Sequence, residues 1–302
     1  MTTLEPEARS ARLAADAWHT STPTVGLFRG AGKSLREVIG QRELLNLLVR
    51  RELKSRYKDS ALGFLWSLIR PLSVLIVYYV AIGKFLGAER AIPQFAIYIF
   101  TGLTAWQLFQ EIVTSGTASI VGNAGLVRKV YLPREVFPLS TVGSALFNFL
   151  TQLVILAAAV LLTRQVPTGS RLLYVPLSLA VLVVFATALG LALSAVNVYL
   201  RDVQYLVEIS MTVFFWLSPI VYSWELVSNA VHDSWIETVY LYNPVTLAVL
   251  GMQRALWVAG TGEPVPDHLG TRLVIALGVG LVVLFLGQRL FARLEGNFAQ
   301  EL

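Results

Sequence analysis

Arg50-Arg51-Glu52-Leu53-Lys54-Ser55-Arg56-Tyr57-Lys58-Asp59-Ser60-Ala61-Leu62-Gly63-Phe64-Leu65-Trp66-Ser67-Leu68-Ile69-Arg70-Pro71-Leu72 changes character partway along. Up to Lys58 it reads as a basic amphipathic helix. At 3.6 residues per turn, Arg50, Arg51, Lys54 and Lys58 fall on one side, and Leu45, Val49 and Leu53 on the other. Arg56 falls on the apolar side and interrupts the pattern. From Leu62 onward the run is apolar enough for a membrane helix, with one charge, Arg70, inside it. Such an amphipathic helix can lie in a membrane interface, apolar side in the acyl boundary and basic side toward anionic headgroups, or pack on a protein core. The membrane span that follows almost without a linker favours the interface.

Composition agrees. The 302 residues are 55% hydrophobic and 14% charged, with a mean hydropathy of +0.64. Soluble domains carry roughly 25% charged residues, so the chain reads as an all-α, polytopic membrane protein. There is no cysteine, which excludes disulfides, thiolate metal sites and cysteine catalysis. His19, His232 and His268 are too scattered to suggest a metal or catalytic centre. A polar arm covers residues 1–40 and lacks the apolar region of a cleavable signal peptide. Within it, Gly32-Lys33-Ser34 imitates the end of a phosphate-binding loop. The glycine needed five residues earlier is replaced by Leu27, so no nucleotide site is expected.

After the amphipathic helix (41–61), six stretches are apolar and long enough to predict transmembrane helices: 62–85, 95–115, 136–162, 173–196, 204–222 and 273–291. A seventh piece, 244–259, is short and contains Arg254, so it is expected as a re-entrant or interfacial helix. The segment before it mixes aromatics with acids (Trp224, Glu225, Trp235, Glu237, Tyr240, Tyr242), as in short helices at headgroup level; the whole outer region is taken as 223–260. Seventeen of the 24 basic residues fall on one side if both termini lie inside. Six fall outside, and Arg70 lies within the first span. This asymmetry predicts cytosolic termini, with a tail over 292–302, and it accounts for the net charge of +5 without nucleic-acid binding.

No nucleophile–base pair or metal cluster is visible, so the chain is not expected to be an enzyme. The informative residues are polar ones at membrane depth. A charge at a helix centre costs about 2.5–3.5 kcal/mol on the insertion scale. Arg70, Glu111 and Glu208 therefore should face protein, water or headgroups. Arg70 and Glu208 form a candidate pair across the first and fifth spans, unless each snorkels from a helix end. Between spans two and three, 126–135 places apolar Leu126, Val127, Val130 and Tyr131 beside basic Arg128 and Lys129, followed by Pro133, Arg134 and Glu135. A short helix with an aromatic anchor suits a groove in a cytosolic partner; the plain alternative is an interfacial loop. Tyr78, Tyr79, Tyr98, Trp106, Phe109, Phe214, Phe215 and Trp216 lie in the spans. Aromatic rings stack on the C–H faces of sugars, so these are candidate channel-lining residues for a glycan, against the alternative that they pack or face lipid.

Five segments in order carry a family resemblance: 50–71, "KVYLPREVFPLS" (129–140), "NVYLRDVQYL" (197–206), "FWLSPIVY" (215–222) and Tyr242-Asn243-Pro244. Over residues 42–298 the chain resembles the permease subunits of polysaccharide exporters of the type-2 ABC transporter class, which move O-antigen, teichoic acid or mycobacterial-type galactan. The resemblance implies a homodimer joined to two copies of a separate ATPase, which would bind ATP and magnesium. It implies that 126–135 is a coupling helix seated in that ATPase, and that 41–61 is an interface helix. It also implies a lateral opening between span one of one copy and span five of the other, with short gate helices outside. The substrate would be a polyprenyl-pyrophosphate-linked glycan. Arg50, Arg51, Lys54, Arg56 and Lys58 would then attract the pyrophosphate from the membrane surface. An exporter of a small hydrophobic drug or lipid is the alternative. An ion-coupled transporter would need an inverted repeat and more intramembrane carboxylates than the sequence offers.

Overall fold

The computed structural model of the chain describes residues 40–57, 60, 63–130, 132–231 and 235–302, and the side chains of Tyr57 and Phe64 lie outside that description. The polar arm to residue 39, Lys58, Leu62 and Tyr131 also lie outside it. The described residues form helices and turns, without strands.

Among the described residues, four helical stretches are long and apolar enough to cross a membrane: Trp66–Phe85, Val136–Leu162, Gly169–Tyr199 and Leu269–Glu301. The first comprises helix α2 (Trp66–Tyr78), preceded by a 3₁₀ turn at Gly63–Leu65 and extended by a π-helical segment at Tyr79–Phe85. After a one-turn α3 (Ala88–Ala91) comes α4 (Phe95–Gly122), whose 28 residues span roughly 42 Å. Helix α4 has the length of a span, but a polar strip sets it apart from the four apolar stretches. The short α5 (Ala124–Lys129) leads to α6 (Val136–Leu162) and then α7 (Tyr174–Tyr199). Helix α8 (Val203–Trp216) is apolar but has only 14 residues. The expected fifth span over 204–222 is therefore too long at its end. Pro219 disfavours helical backbone at Ser218, and 217–222 forms turns instead.

Two short helices follow, α9 (Trp224–Val231) and α10 (Trp235–Tyr242), where the aromatic–acid mixture predicted them. Helix α11 (Pro244–Leu256) starts where its sequence says it should. Asn243 Oδ1 accepts from the Val245 amide at 3.0 Å, and proline occupies the first turn. It is too short to span and is buried on nearly every side against α4, α7 and α12 (Leu269–Leu294). The last turn, α13 (Phe298–Glu301), folds back so that fully buried Phe298 meets Phe291 edge-on at 5.5 Å.

The centre of the bundle is α7, packed between α4 and α12. Small residues allow the approach, as is usual where helices pack inside a membrane. A Cβ on Gly116 of α4 would lie 3.0 Å from the Gly190 Cα of α7, and one on Gly287 of α12 would lie 2.6 Å from the Ala188 carbonyl oxygen. A buried bond from Asn197 Nδ2 to the Thr117 carbonyl, 3.1 Å long, ties α7 to α4.

The amphipathic segment forms α1 (Arg42–Tyr57). Its apolar side docks on the chain itself. Leu48 is buried, Leu44 and Leu45 pack against the same cluster, and Val49 sits against Gly143 of α6. Both readings of its pattern thus put the right residues inward, and protein covers them.

Gly287→Ala should lower the stability of the purified protein by about 1–3 kcal/mol, because a backbone oxygen blocks the new methyl. Gly278→Ala, in open space, should leave it unchanged. Equal thermal unfolding of the two variants would contradict the close α7–α12 crossing.

Candidate functional site

The polar strip of α4 is a helical face. Leu103, Trp106, Gln107, Gln110, Glu111, Thr114 and Ser115 recur at spacings of three and four and line one wall of a groove of about 850 Å³. Helix α2 supplies the facing wall with Trp66, Ser67, Arg70, Pro71, Val74 and Tyr78; α6 adds Asn148 and Gln152, and α8 adds Met211, Thr212, Phe215 and Trp216. Arg56 reaches in from α1. Apolar helices thus surround amides, hydroxyls, a carboxylate and five aromatic side chains.

One ion pair closes this groove on the α1 side. Arg56 Nη1 bonds Glu111 Oε1, Asn148 Nδ2 donates to the same oxygen at 2.8 Å, and Arg56 Nη2 reaches Glu52 at 3.1 Å. Burial disfavours the Arg56 charge, but Glu111 and Glu52 more than offset it and hold its pKa above the ordinary value. The arginine that interrupts the amphipathic pattern therefore has a partner in its own chain. Arg51 also points inward, donating to Asn123 Oδ1 at the end of α4. Arg50 and Lys54 are exposed. The basic residues of α1 are thus divided: Arg51 and Arg56 tie α1 to α4, and Arg50 and Lys54 look outward.

The aromatic set is divided as well. Tyr78, Trp106, Phe215 and Trp216 line the groove; Trp106 and Phe215 meet edge-on at 5.6 Å, and the Trp106 indole donates to Gln110 Oε1 at 2.9 Å. The other four do not line it. Tyr98 is 2% exposed and donates to the Pro219 and Tyr222 carbonyls, because its hydroxyl satisfies the turn that ends α8. Phe109 is buried beside Trp106. Tyr79 donates to Glu89, and Phe214 lies on the outside, 42% exposed. The Arg70–Glu208 pair is not made within the chain: Arg70 lines the groove, whereas Glu208 is exposed on α8.

At the loop between α4 and α6 the helix is shorter and earlier than expected. It runs from Ala124 to Lys129; Val130 is extended, and Pro133 interrupts the run to α6. Val127 is its buried anchor, while Arg128, Lys129 and Val130 are exposed. Arg134 lies over the Phe298 ring at 5.7 Å, and buried Glu135 accepts from Gln288 Nε2 at 2.8 Å, so the loop rests on the C-terminal turn. Sequence reading missed the groove amides Gln107, Gln110, Asn148 and Gln152. Their signal was present as repeated amides at helical spacing within otherwise apolar spans.

A multi-helix membrane protein with a polar groove set among apolar helices is the class that fold and site define. The chain belongs to the ABC-2 type transporter family, whose pattern matches residues 43–257. It is 29% identical over 258 residues to the O-antigen export system permease protein RfbA of Klebsiella pneumoniae, covering 85% of this chain and 94% of that one. It is 29% identical over 268 residues to the RfbA permease of Myxococcus xanthus, covering 89% and 98%. The polysialic acid transport protein KpsM of Escherichia coli is 22% identical over 248 residues, covering 80% and 93%.

In a double-mutant cycle of Arg56→Ala and Glu111→Ala, the unfolding free energies should show a coupling of about 0.5–3 kcal/mol. Additive effects would mean that the pair does not hold α1 to α4.

Proposed function

We propose that this chain is the membrane-spanning subunit of an ATP-driven exporter that carries a polysaccharide on a polyprenyl pyrophosphate out of the cytosol. The groove is the observation that carries this reading. A hydrated glycan needs hydroxyl and amide partners and flat rings, and the groove offers both. Gln107, Gln110, Glu111 and Asn148 in the wall favour a polar cargo over a hydrophobic drug or lipid. Relatives along nearly the whole chain are named for O-antigen and polysialic acid transport, which supports the polysaccharide over the small molecule.

In this reading two copies assemble with two ATPase subunits that bind ATP and magnesium. Helices α4 and α8 complete six spans with both termini in the cytosol. A span of 14 residues is short, and the turns at 217–222 carry the chain the rest of the way. The exposed tip Arg128–Val130, with Tyr131 next to it, is the part of the α4–α6 loop available to the ATPase. Val127, Arg134 and Glu135 fix that tip to the body, so a push on it reaches α6 and α12 directly. Arg50 and Lys54, which look outward, attract the pyrophosphate headgroup to the membrane surface. The glycan then moves along Tyr78, Trp106, Phe215 and Trp216.

Depleting the protein in its host should leave a long glycan on its polyprenyl carrier at the cytosolic face. Lipid-linked glycan profiling reads this directly, and unchanged profiles with intact envelope polymers would contradict the proposal. Replacing Arg128, Lys129 and Tyr131 together should abolish ATP-driven export while the chain still inserts; export at the normal rate would remove the coupling role.

A further inference from the structure

Arg70 is a groove cation without a partner among the described residues. Arg56 is bonded to Glu111 and Glu52, and Arg51 to Asn123. No hydrogen bond, ion pair or ring contact engages Arg70 among the described residues, although it lies in a span and lines the same groove. Arg70 is the fifth residue of the span Trp66–Phe85 and is exposed, so its guanidinium is open to a partner from outside the fold. Its surroundings select that partner. The nearest groove carboxylate, Glu111, has its charge balanced by Arg56 and its Oε1 atom bonded by Asn148. The other polar groove residues on α2 and α4, Ser67, Gln107, Gln110, Thr114 and Ser115, are neutral. The groove therefore holds one uncompensated positive charge among neutral hydrogen-bonding groups.

The other side of α2 adds a second observation. Leu65, Ile69, Leu72, Ile76 and Val80 are all exposed and recur at spacings of three and four, which makes one apolar stripe running beside Arg70. Trp66 and Trp216 stand at the groove and are also exposed. A ligand that has an oxyanion at one end and a hydrocarbon chain at the other meets both features together.

We propose that Arg70 binds a phosphate oxygen of the pyrophosphate in the lipid-linked substrate, with the isoprenoid chain lying along the Leu65–Val80 stripe. This rests on the function proposed above and assigns the headgroup contact inside the groove to Arg70, not to Arg56. A guanidinium presents two parallel N–H donors to phosphate oxygens, a geometry lysine lacks. The groove volume of about 850 Å³ is in the range that encloses a ligand of a few hundred daltons, enough for the pyrophosphate and the first sugars.

The test uses the full chain in nanodiscs of phosphatidylcholine, with geranylgeranyl pyrophosphate as the probe and quenching of the groove tryptophans as the readout. Arg70→Gln should weaken binding at least tenfold, Arg70→Lys should retain part of it, and Arg90→Gln, outside the groove, should match the wild type. Geranylgeraniol, which lacks the phosphates, should bind wild type and Arg70→Gln alike. Each variant is first checked for a single symmetrical elution peak, and the retained binding of Arg70→Lys shows that the site is folded. Equal binding of the pyrophosphate by wild type and Arg70→Gln would overturn the inference. Equal competition by phosphatidylglycerol would overturn the assignment to the substrate, since any anionic lipid would then fill the site. Failure of the export proposal has a different signature: no glycan accumulates on depletion, whatever Arg70 binds.

Discussion

The contact between Arg56 and Glu111, with Asn148 on the same carboxylate oxygen, joins three helices, α1, α4 and α6. Glu111 sits midway along α4, where a carboxylate facing lipid would be expensive. It is tolerated because Arg56 arrives from α1 and Asn148 from α6, each bonded to the same oxygen. The pair also decides what the groove can hold. With Glu111 compensated, the wall of α4 presents amides and hydroxyls rather than a bare negative charge. An anionic lipid headgroup is then not repelled, and neutral sugar hydroxyls find both donors and acceptors. Side-chain exposures of 32% for Arg56 and 21% for Glu111 leave the pair partly hydrated, so it need not carry the full desolvation cost of a buried ion pair.

That polar wall needs a rigid back. Helix α4 turns one face to the groove and the other to α7, where Gly116 and Gly190 let the backbones nearly touch and Asn197 bonds across. Helix α11 fills the space behind, with Gln253 Nε2 and the Tyr98 hydroxyl both on the Pro219 carbonyl. The turn after α8 is therefore held from behind by α4 and α11. The opposite wall is built differently. Helix α2 makes few contacts with the bundle, runs into a π-helical segment and exposes a continuous apolar stripe. The groove thus has a fixed wall on α4 and a loosely held one on α2, as expected of a path whose width must change during transport.

Much of this was legible before any coordinates. The span over 136–162 carries no charged residue, and prolines mark its start, so its bounds match the helix. Tyr242-Asn243-Pro244 reads as a helix cap and is one. Other features needed tertiary information. The overlong fifth span followed hydropathy through Leu217–Tyr222, although Pro219 was the local signal that the helix stops. The pocket for Val49 depends on Gly143, far away in sequence, so α1 could not be assigned to protein rather than lipid. Arg56 stood out as an interruption of its pattern, but a partner 55 residues away leaves no periodic trace. The aromatics were hardest, since Tyr98 and Trp106 stand about two turns apart on one apolar helix and both are nearly fully buried. Only the carbonyls freed by the turn at Pro219 make one a packing residue and leave the other in the groove wall.

The claim on which the account rests is that the face of α4 is wet while its flanks are not. The chain has no cysteine, so single cysteines placed at Gln107, Gln110 and Thr114 can be compared with ones at Val154 and Leu161, which are exposed on α6 away from the groove. In proteoliposomes, a water-soluble charged maleimide should label the three α4 positions and spare the two on α6. Protection of Gln107→Cys and Gln110→Cys to the same degree as Val154→Cys would contradict the account, because a dry groove cannot carry a hydrated glycan.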